Sequence, residues 1–288
     1  MFVILHIEIR LKEIRGQSKY SDPKYLVLLC PLTLTPNILP THENYFPELE
    51  EAVTHFTTNF GGKYRLTGDE PVALATLKSI LKSEYNYKID DEKIAAMADL
   101  ATYRSIYIPG KQPVLHVNNL LYTRQLKFIV ARELGYQFLG LEERSHTSTP
   151  DKISSFQQLL NDYKAAYFGG ALLMRQEPFL KNLQEFFSQT IWRPDLLLAM
   201  LSAYNVTPEM LLYRLSELVP QFFGLKIHFL RFHHASGTAE YQLIKRLNMN
   251  HLLVPSGIAL NEHSCRRWLS IRLLRESAVM KEPRTVEE

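Results

Sequence analysis

Four apolar residues recur at every fourth position between Leu121 and Leu139: Leu126, Val130, Leu134 and Phe138. A row of this kind faces a core only if the segment is an α-helix, because side chains at i and i+4 then lie on one side. At about 100° per residue, Arg132 stands about 200° around the helix from Val130, with Tyr136 on the same side. The spacing therefore predicts an amphipathic helix whose Arg132–Tyr136 edge looks away from the apolar stripe, towards a cleft or solvent.

The rest of the chain must supply what that stripe packs on. Leu49, Ala52, Val53 and Phe56 predict a helix over 47–60, with Gly61-Gly62 expected to end it. Leu74, Leu77, Ile80 and Leu81 predict another over 72–85, and 91–100 predicts a short third with acid in its first turn. Ser105–Pro109 and Pro113–Val117 are β-prone runs around Gly110-Lys-Gln, the pattern of a hairpin. Ser148-Thr-Pro-Asp151 reads as a helix start leading through Phe156, Leu159, Leu160, Tyr163 and Tyr167 to about Met174. Within that helix, Gly169-Gly170 allows close backbone approach. Two further helices are expected at 193–204 and 208–218. After Pro220 the pattern changes: 226–232 alternates like a strand, 240–247 is mixed, and 265–277 reads as a basic amphipathic helix.

Residues 1–45 hold no sustained period and are broken by Pro31, Pro36 and Pro40. The expected organisation is thus an irregular segment at 1–45, a main domain at 46–220 and a C-terminal region at 221–288. At 288 residues the chain is long enough for a full core and two domains. Its net charge of +3 makes no strong electrostatic case for nucleic acid or a membrane surface. Cys30 and Cys265 form no disulfide framework and suit a reducing compartment. No apolar run approaches the roughly 20 residues of a membrane span, so a cytoplasmic location is expected.

The chemistry concentrates at Ala131-Arg-Glu-Leu-Gly-Tyr136. A zinc peptidase helix presents two imidazoles at i and i+4, with a Glu beside the first as general base. Here those two positions are Arg132 and Tyr136, and only Glu133 remains. A guanidinium has no lone pair to offer a metal. An ordinary helix surface would account for these three residues as well, since the pattern alone carries little information.

What adds to it is order: the hairpin ending Leu115-His-Val-Asn118, then this helix, then Asp162-Tyr-Lys-Ala-Ala-Tyr-Phe-Gly-Gly-Ala-Leu-Leu-Met174. The arrangement resembles the ImmA/IrrE family of bacterial zinc metallopeptidases over roughly 90–220. The resemblance implies a mainly α (α+β) fold: a zincin-like helical core with a small β-hairpin or sheet, plus a small C-terminal α/β region. It implies that Glu133 matches the general base, that Arg132 and Tyr136 replace the two His ligands, and that Asp162 replaces a Glu ligand. A degenerate metallopeptidase with no zinc and no cofactor is expected. An Arg132–Asp162 ion pair is a candidate bridge where the metal stood. The alternative is an atypical metal site using Glu133, Asp162 and His116 or His146.

The segment His228-Phe-Leu-Arg-Phe232 and the run Asn261-Glu-His-Ser-Cys-Arg-Arg-Trp268 resemble the C-terminal part of long regulators that join a Cro-type helix-turn-helix to such a unit. Some of those relatives respond to short-chain acyl-CoA. The resemblance implies an effector-sensing, oligomerising module of a bacterial transcriptional regulator, with DNA bound directly or through a partner, and with residues 1–45 a candidate helix-turn-helix remnant whose first helix would be Leu11–Ser21. Cys265, Arg266 and Arg267 are then candidate ligand or phosphate contacts, although a solvated face completed by Glu262 and Glu276 fits equally. His228, His233, His234, His251 and His263 match no zinc-finger spacing. The helix pair at 193–218 looks like a helix-turn-helix, but the apolar second helix leaves only Arg214 to reach a base, and packing or a dimer contact explains it better.

Overall fold

The computed structural model describes residues 2–7, 44–66, 70–100, 103–148, 154–225, 227–234, 241–248 and 275–276. The chain divides into two compact units: Phe46–Arg214, and Met1–Tyr45 together with Leu215–Glu288. The architecture is mainly helical with small sheets, as expected.

Within the 46–214 unit, α1 (Pro47–Tyr64) opens with Pro47 and has Glu48 and Glu50 in its first turn, a pre-set φ and charges that suit a helix N-terminus. It does not end at Gly61-Gly62. It runs through both glycines to Tyr64, and Arg65 closes it in the left-handed region at φ 53°. The helix α2 (Leu74–Tyr85) buries Leu77, Ile80 and Leu81 and ends on Asn86 at φ 56°. The predicted helix at 91–100 resolves into one turn, α3 (Lys93–Ala96), and a 3-10 turn at Ala98–Leu100. The predicted hairpin forms as β3 (Ser105–Ile108) and β4 (Val114–Val117), paired antiparallel. A short strand β2 (Lys88–Asp90), which its three residues were too few to announce, pairs parallel with β4 and completes the order β2-β4-β3.

The central helix, α4 (Thr123–Phe138), starts where Gln125 reaches back to the Tyr122 N–H at 3.1 Å. The next, α5 (Phe156–Leu173), is capped by Ser155 accepting from the Gln158 N–H, not by Ser148. Ser148 instead accepts from the N–H groups of Arg104 and Ser105 at 2.9 and 3.0 Å. Two glycines let α4 and α5 cross at backbone contact. A Cβ on Gly135 would lie 2.9 Å from the Ala165 carbonyl oxygen, and one on Gly169 would lie 2.8 Å from the Arg132 nitrogen. The helices run antiparallel, so Gly169 faces Arg132, Ala165 faces Gly135 and Asp162 faces Tyr136. Phe56, Phe60, Phe138 and Phe168 pack edge-on or tilted around this crossing, at centroid distances of 4.8–6.5 Å.

Three helices follow: α6 (Gln176–Phe187), α7 (Pro194–Ala203) and α8 (Pro208–Phe223). The first was not anticipated, although it buries Phe179, Leu183 and Phe186 at helical spacing. α7 and α8 meet at 107°. Their turn is held by α4: Arg124 Nε donates to Asn205 Oδ1 at 2.9 Å, and Lys127 Nζ donates to the carbonyls of Tyr204 and Asn205 at 3.3 Å. The Lys127 amine is buried, and desolvation, aided by nearby Arg124, lowers its pKa to about 8.

In the other unit, β1 (Phe2–Ile7), β5 (Ile227–His234) and β6 (Tyr241–Asn248) form an antiparallel sheet in the order β1-β5-β6. Phe2 pairs with Phe232 and Ile7 with Ile227. The strand expected at 226–232 is thus present. Of the basic helix expected at 265–277, only Arg275 and Glu276 are described, as helix. Cys265, Arg266 and Arg267 lie outside the described residues, as do His251 and His263.

Candidate functional site

The antiparallel crossing of α4 and α5 brings Arg132, Glu133, Tyr136 and Asp162 to one place, beside the β2-β4-β3 sheet. Tyr136 is not on an open edge: it is 1% exposed. Its hydroxyl donates to Asp162 Oδ1 at 2.6 Å. Burial raises the phenol's pKa well above its ordinary value and Asp162 adds to the rise, while Arg132 opposes it. Asp162 has no oxygen to spare, because the Ser145 N–H reaches Oδ1 at 3.0 Å and the Ser145 hydroxyl donates to Oδ2. Gln158 Nε2 in turn donates to Ser145 Oγ at 2.7 Å.

Glu133 is 1% exposed and equally occupied. Arg144 Nη1 and Nη2 grip its two oxygens at 2.6 Å each, the planar fork that suits a carboxylate. Tyr87 donates to Oε1 at 2.7 Å and accepts from Gln137 Nε2 at 2.6 Å. Burial pushes the Tyr87 phenol up strongly, and the Glu133 charge adds to it. The Arg144 guanidinium lies between two rings, 3.9 Å from Tyr107 and 3.6 Å from Tyr136. Burial alone would lower its pKa. The bond to Glu133 and that group's charge outweigh this, and the pKa is raised.

The segment carrying Arg144 is itself tied to the sheet. Tyr107 N–H donates to the His146 carbonyl at 2.7 Å, Ser148 N–H donates to the Ser105 carbonyl at 3.0 Å, and Ile106 bridges Thr147 antiparallel. Residues 146–148 thus lie along the free edge of β3 as an added strand.

The expected Arg132–Asp162 ion pair is not made. Asp162 is filled by Tyr136 and Ser145, while Arg132 lies 5.9 Å from the Tyr136 ring and its buried Nε has no hydrogen-bond partner. Nor do the alternative ligands converge. His116 is buried on β4 with Nδ1 3.4 Å from Asp90 Oδ2, and the exposed His146 turns its ring edge-on to Tyr107. Arg214 is not poised for a base. It is 1% exposed, grips Glu50 with Nη1 and Nη2 at 2.6 and 2.9 Å, and donates Nε to the Met174 carbonyl at 3.0 Å.

Zinc does not fit these residues. Arg132 has no lone pair, Tyr136 keeps its proton for Asp162, and every oxygen of Glu133 and Asp162 already accepts from a protein donor. A dication beside the Arg144 guanidinium would also meet direct repulsion. Among the described residues no three His, Cys, Asp or Glu side chains group as a metal cage.

Arg144, Ser145, Tyr87 and Tyr107 are the partners that sequence reading missed. Arg144 stands 11 residues from Glu133, beyond the end of α4 at Phe138. The signal available was charge balance: a buried carboxylate must find a cation or other donors, and Arg144 was one of several cations within range.

A family model described as Peptidase_M78, IrrE N-terminal-like domain, matches residues 87–216. No curated protein matches the chain. Among solved structures, a Mycobacterium tuberculosis transcriptional regulator is similar, with a TM-score of 0.51 and 19% identity over 74% of this chain and 58% of that one. The chain therefore spans somewhat more than half the length of that protein, and at this identity the likeness concerns the fold alone. Residues 87–216, which include the α4–α5 crossing, are thus similar to an IrrE N-terminal-like domain of the Peptidase_M78 family.

Proposed function

We propose that this domain is a non-catalytic sensing and oligomerising module of a bacterial transcriptional regulator. The observation that carries the reading is the saturation of Glu133 and Asp162 by Arg144, Tyr87, Tyr136 and Ser145. A general base needs an accessible oxygen, and Glu133 is 1% exposed with both oxygens gripped by Arg144. The family match and the regulator fold support the regulatory part of the reading.

In this reading the signal is a small effector, of acyl-CoA-like chemistry, held through Cys265, Arg266 and Arg267. The resulting bias in conformation reaches DNA through a partner or a weak internal contact. Burial of Arg214 argues against α8 as a base-reading helix. Exposed Ile191, Trp192 and Leu198 supply apolar surface for a homo-oligomer. No single described helix is long and apolar enough to cross a membrane, and the proposed site of action is the cytoplasm.

Metal content and proteolysis by purified full-length protein test the reading. Zinc well below one equivalent and no cleavage of unfolded protein substrates are expected. Stoichiometric zinc, lost on Glu133→Gln or Asp162→Asn, would overturn it.

A further inference from the structure

Residues 144–148 are arranged as a bound peptide would be. Their backbone adds an antiparallel strand to the β3 edge through Tyr107 N–H to His146 and Ser148 N–H to Ser105. Their side chain Arg144 fills a pocket made of the Glu133 carboxylate and the Tyr107 and Tyr136 rings. Strand addition supplies sequence-independent affinity through the main chain, and a side-chain pocket supplies selectivity. Here the pocket selects a guanidinium on three counts: two parallel N–H···O bonds, an aromatic face on each side, and a low-dielectric surround.

The occupant is also imperfectly held. Arg144 Nε is buried with no hydrogen-bond partner, a cost that the unbound side chain would recover in water.

We propose that the β3 edge and the Glu133–Tyr107–Tyr136 pocket form a binding site for an extended arginine-bearing peptide, with residues 144–148 as its self-derived occupant. A partner protein would act by exchange: its strand replaces 146–148 on β3 and its arginine replaces Arg144 on Glu133. The proposal rests on the non-catalytic reading of the cleft, because a bound peptide must survive. Regulation follows directly, since the site opens only as far as the internal segment leaves it.

The test uses full-length protein and a blocked peptide of the internal sequence, Glu-Glu-Arg-Ser-His-Thr-Ser, with its Arg→Ala counterpart. The variant Arg144→Ala/Ser148→Pro removes the resident guanidinium and one strand N–H. By calorimetry it should bind the arginine peptide about tenfold or more tighter than wild type does, and about tenfold or more tighter than it binds the alanine peptide. Recovered peptide should be intact. Equal binding of the two peptides, or no binding, overturns the proposal and leaves the non-catalytic reading standing. Cleavage of the peptide overturns both. If the double variant does not fold, Arg144→Ala alone is titrated with low-millimolar methylguanidinium. Its Tm should rise where wild type's does not, and an unchanged Tm overturns the pocket.

Discussion

Two buried carboxylates in the 46–214 unit are satisfied in nearly the same way. Glu50 and Glu133 each take a two-pronged arginine, Arg214 and Arg144, and each accepts a tyrosine hydroxyl on Oε1 at 2.7 Å, from Tyr167 and Tyr87. The difference lies in the last donor. Arg214 Nε reaches the Met174 carbonyl, whereas Arg144 Nε reaches nothing and its plane is held by rings instead. The first pair is a closed brace between α1 and α8. The second leaves one buried N–H without an acceptor. Identical ion pairs can therefore serve different ends, and the count of satisfied donors separates them.

Removing either arginine should expose that difference. Arg214→Ala is expected to be the most damaging change, costing about 3–5 kcal/mol in urea unfolding, because it strands Glu50 in the core. Arg144→Ala should cost less, about 2–4 kcal/mol, since an unpaired buried N–H disappears with it. A larger loss for Arg144 than for Arg214 would break the comparison. Tyr87→Phe and Tyr167→Phe sharpen it: each removes one hydrogen bond to a charged group, for about 1.5–3 kcal/mol, and the two should match closely.

A buried cation without a carboxylate behaves differently again. Lys127 has its pKa lowered to about 8, against an ordinary 10.5. Above pH 8 the folded protein has lost a proton that the unfolded chain keeps, so stability attributable to this group rises with pH between about 8 and 10.5. The difference between wild type and Lys127→Met, followed by thermal melts across that window, should show the rise; a flat difference would remove Lys127 from the account. The exposed Arg193–Asp195 pair marks the lower limit, and Asp195→Asn should leave the melting temperature unchanged within error.

The legibility of the sequence followed the range of the forces. Helices α1, α2, α4, α7 and α8 and the β3–β4 hairpin were readable because period and turn residues are local. Gly61-Gly62 misled because helix packing kept the chain helical past two poor formers, and β2 was too short to have a period. At the site, Glu133 and Asp162 were singled out by the resemblance of their two helices to the ImmA/IrrE pattern. Their partners were not, because Arg144 and Ser145 come from a loop whose path depends on an edge strand formed elsewhere. Opposite charge suggested Arg132 for Asp162, but Tyr136 and the Ser145 backbone were nearer and filled the carboxylate first.

The glycine-to-backbone contact at Gly135 and Gly169 also limits what this crossing could admit. With the two helices already touching, no slack remains for them to spread and admit new groups. Imidazoles placed at positions 132 and 136 would meet the Arg144 guanidinium and a carboxylate that already accepts three hydrogen bonds. A metal site here would demand several simultaneous changes, including eviction of Arg144 from Glu133.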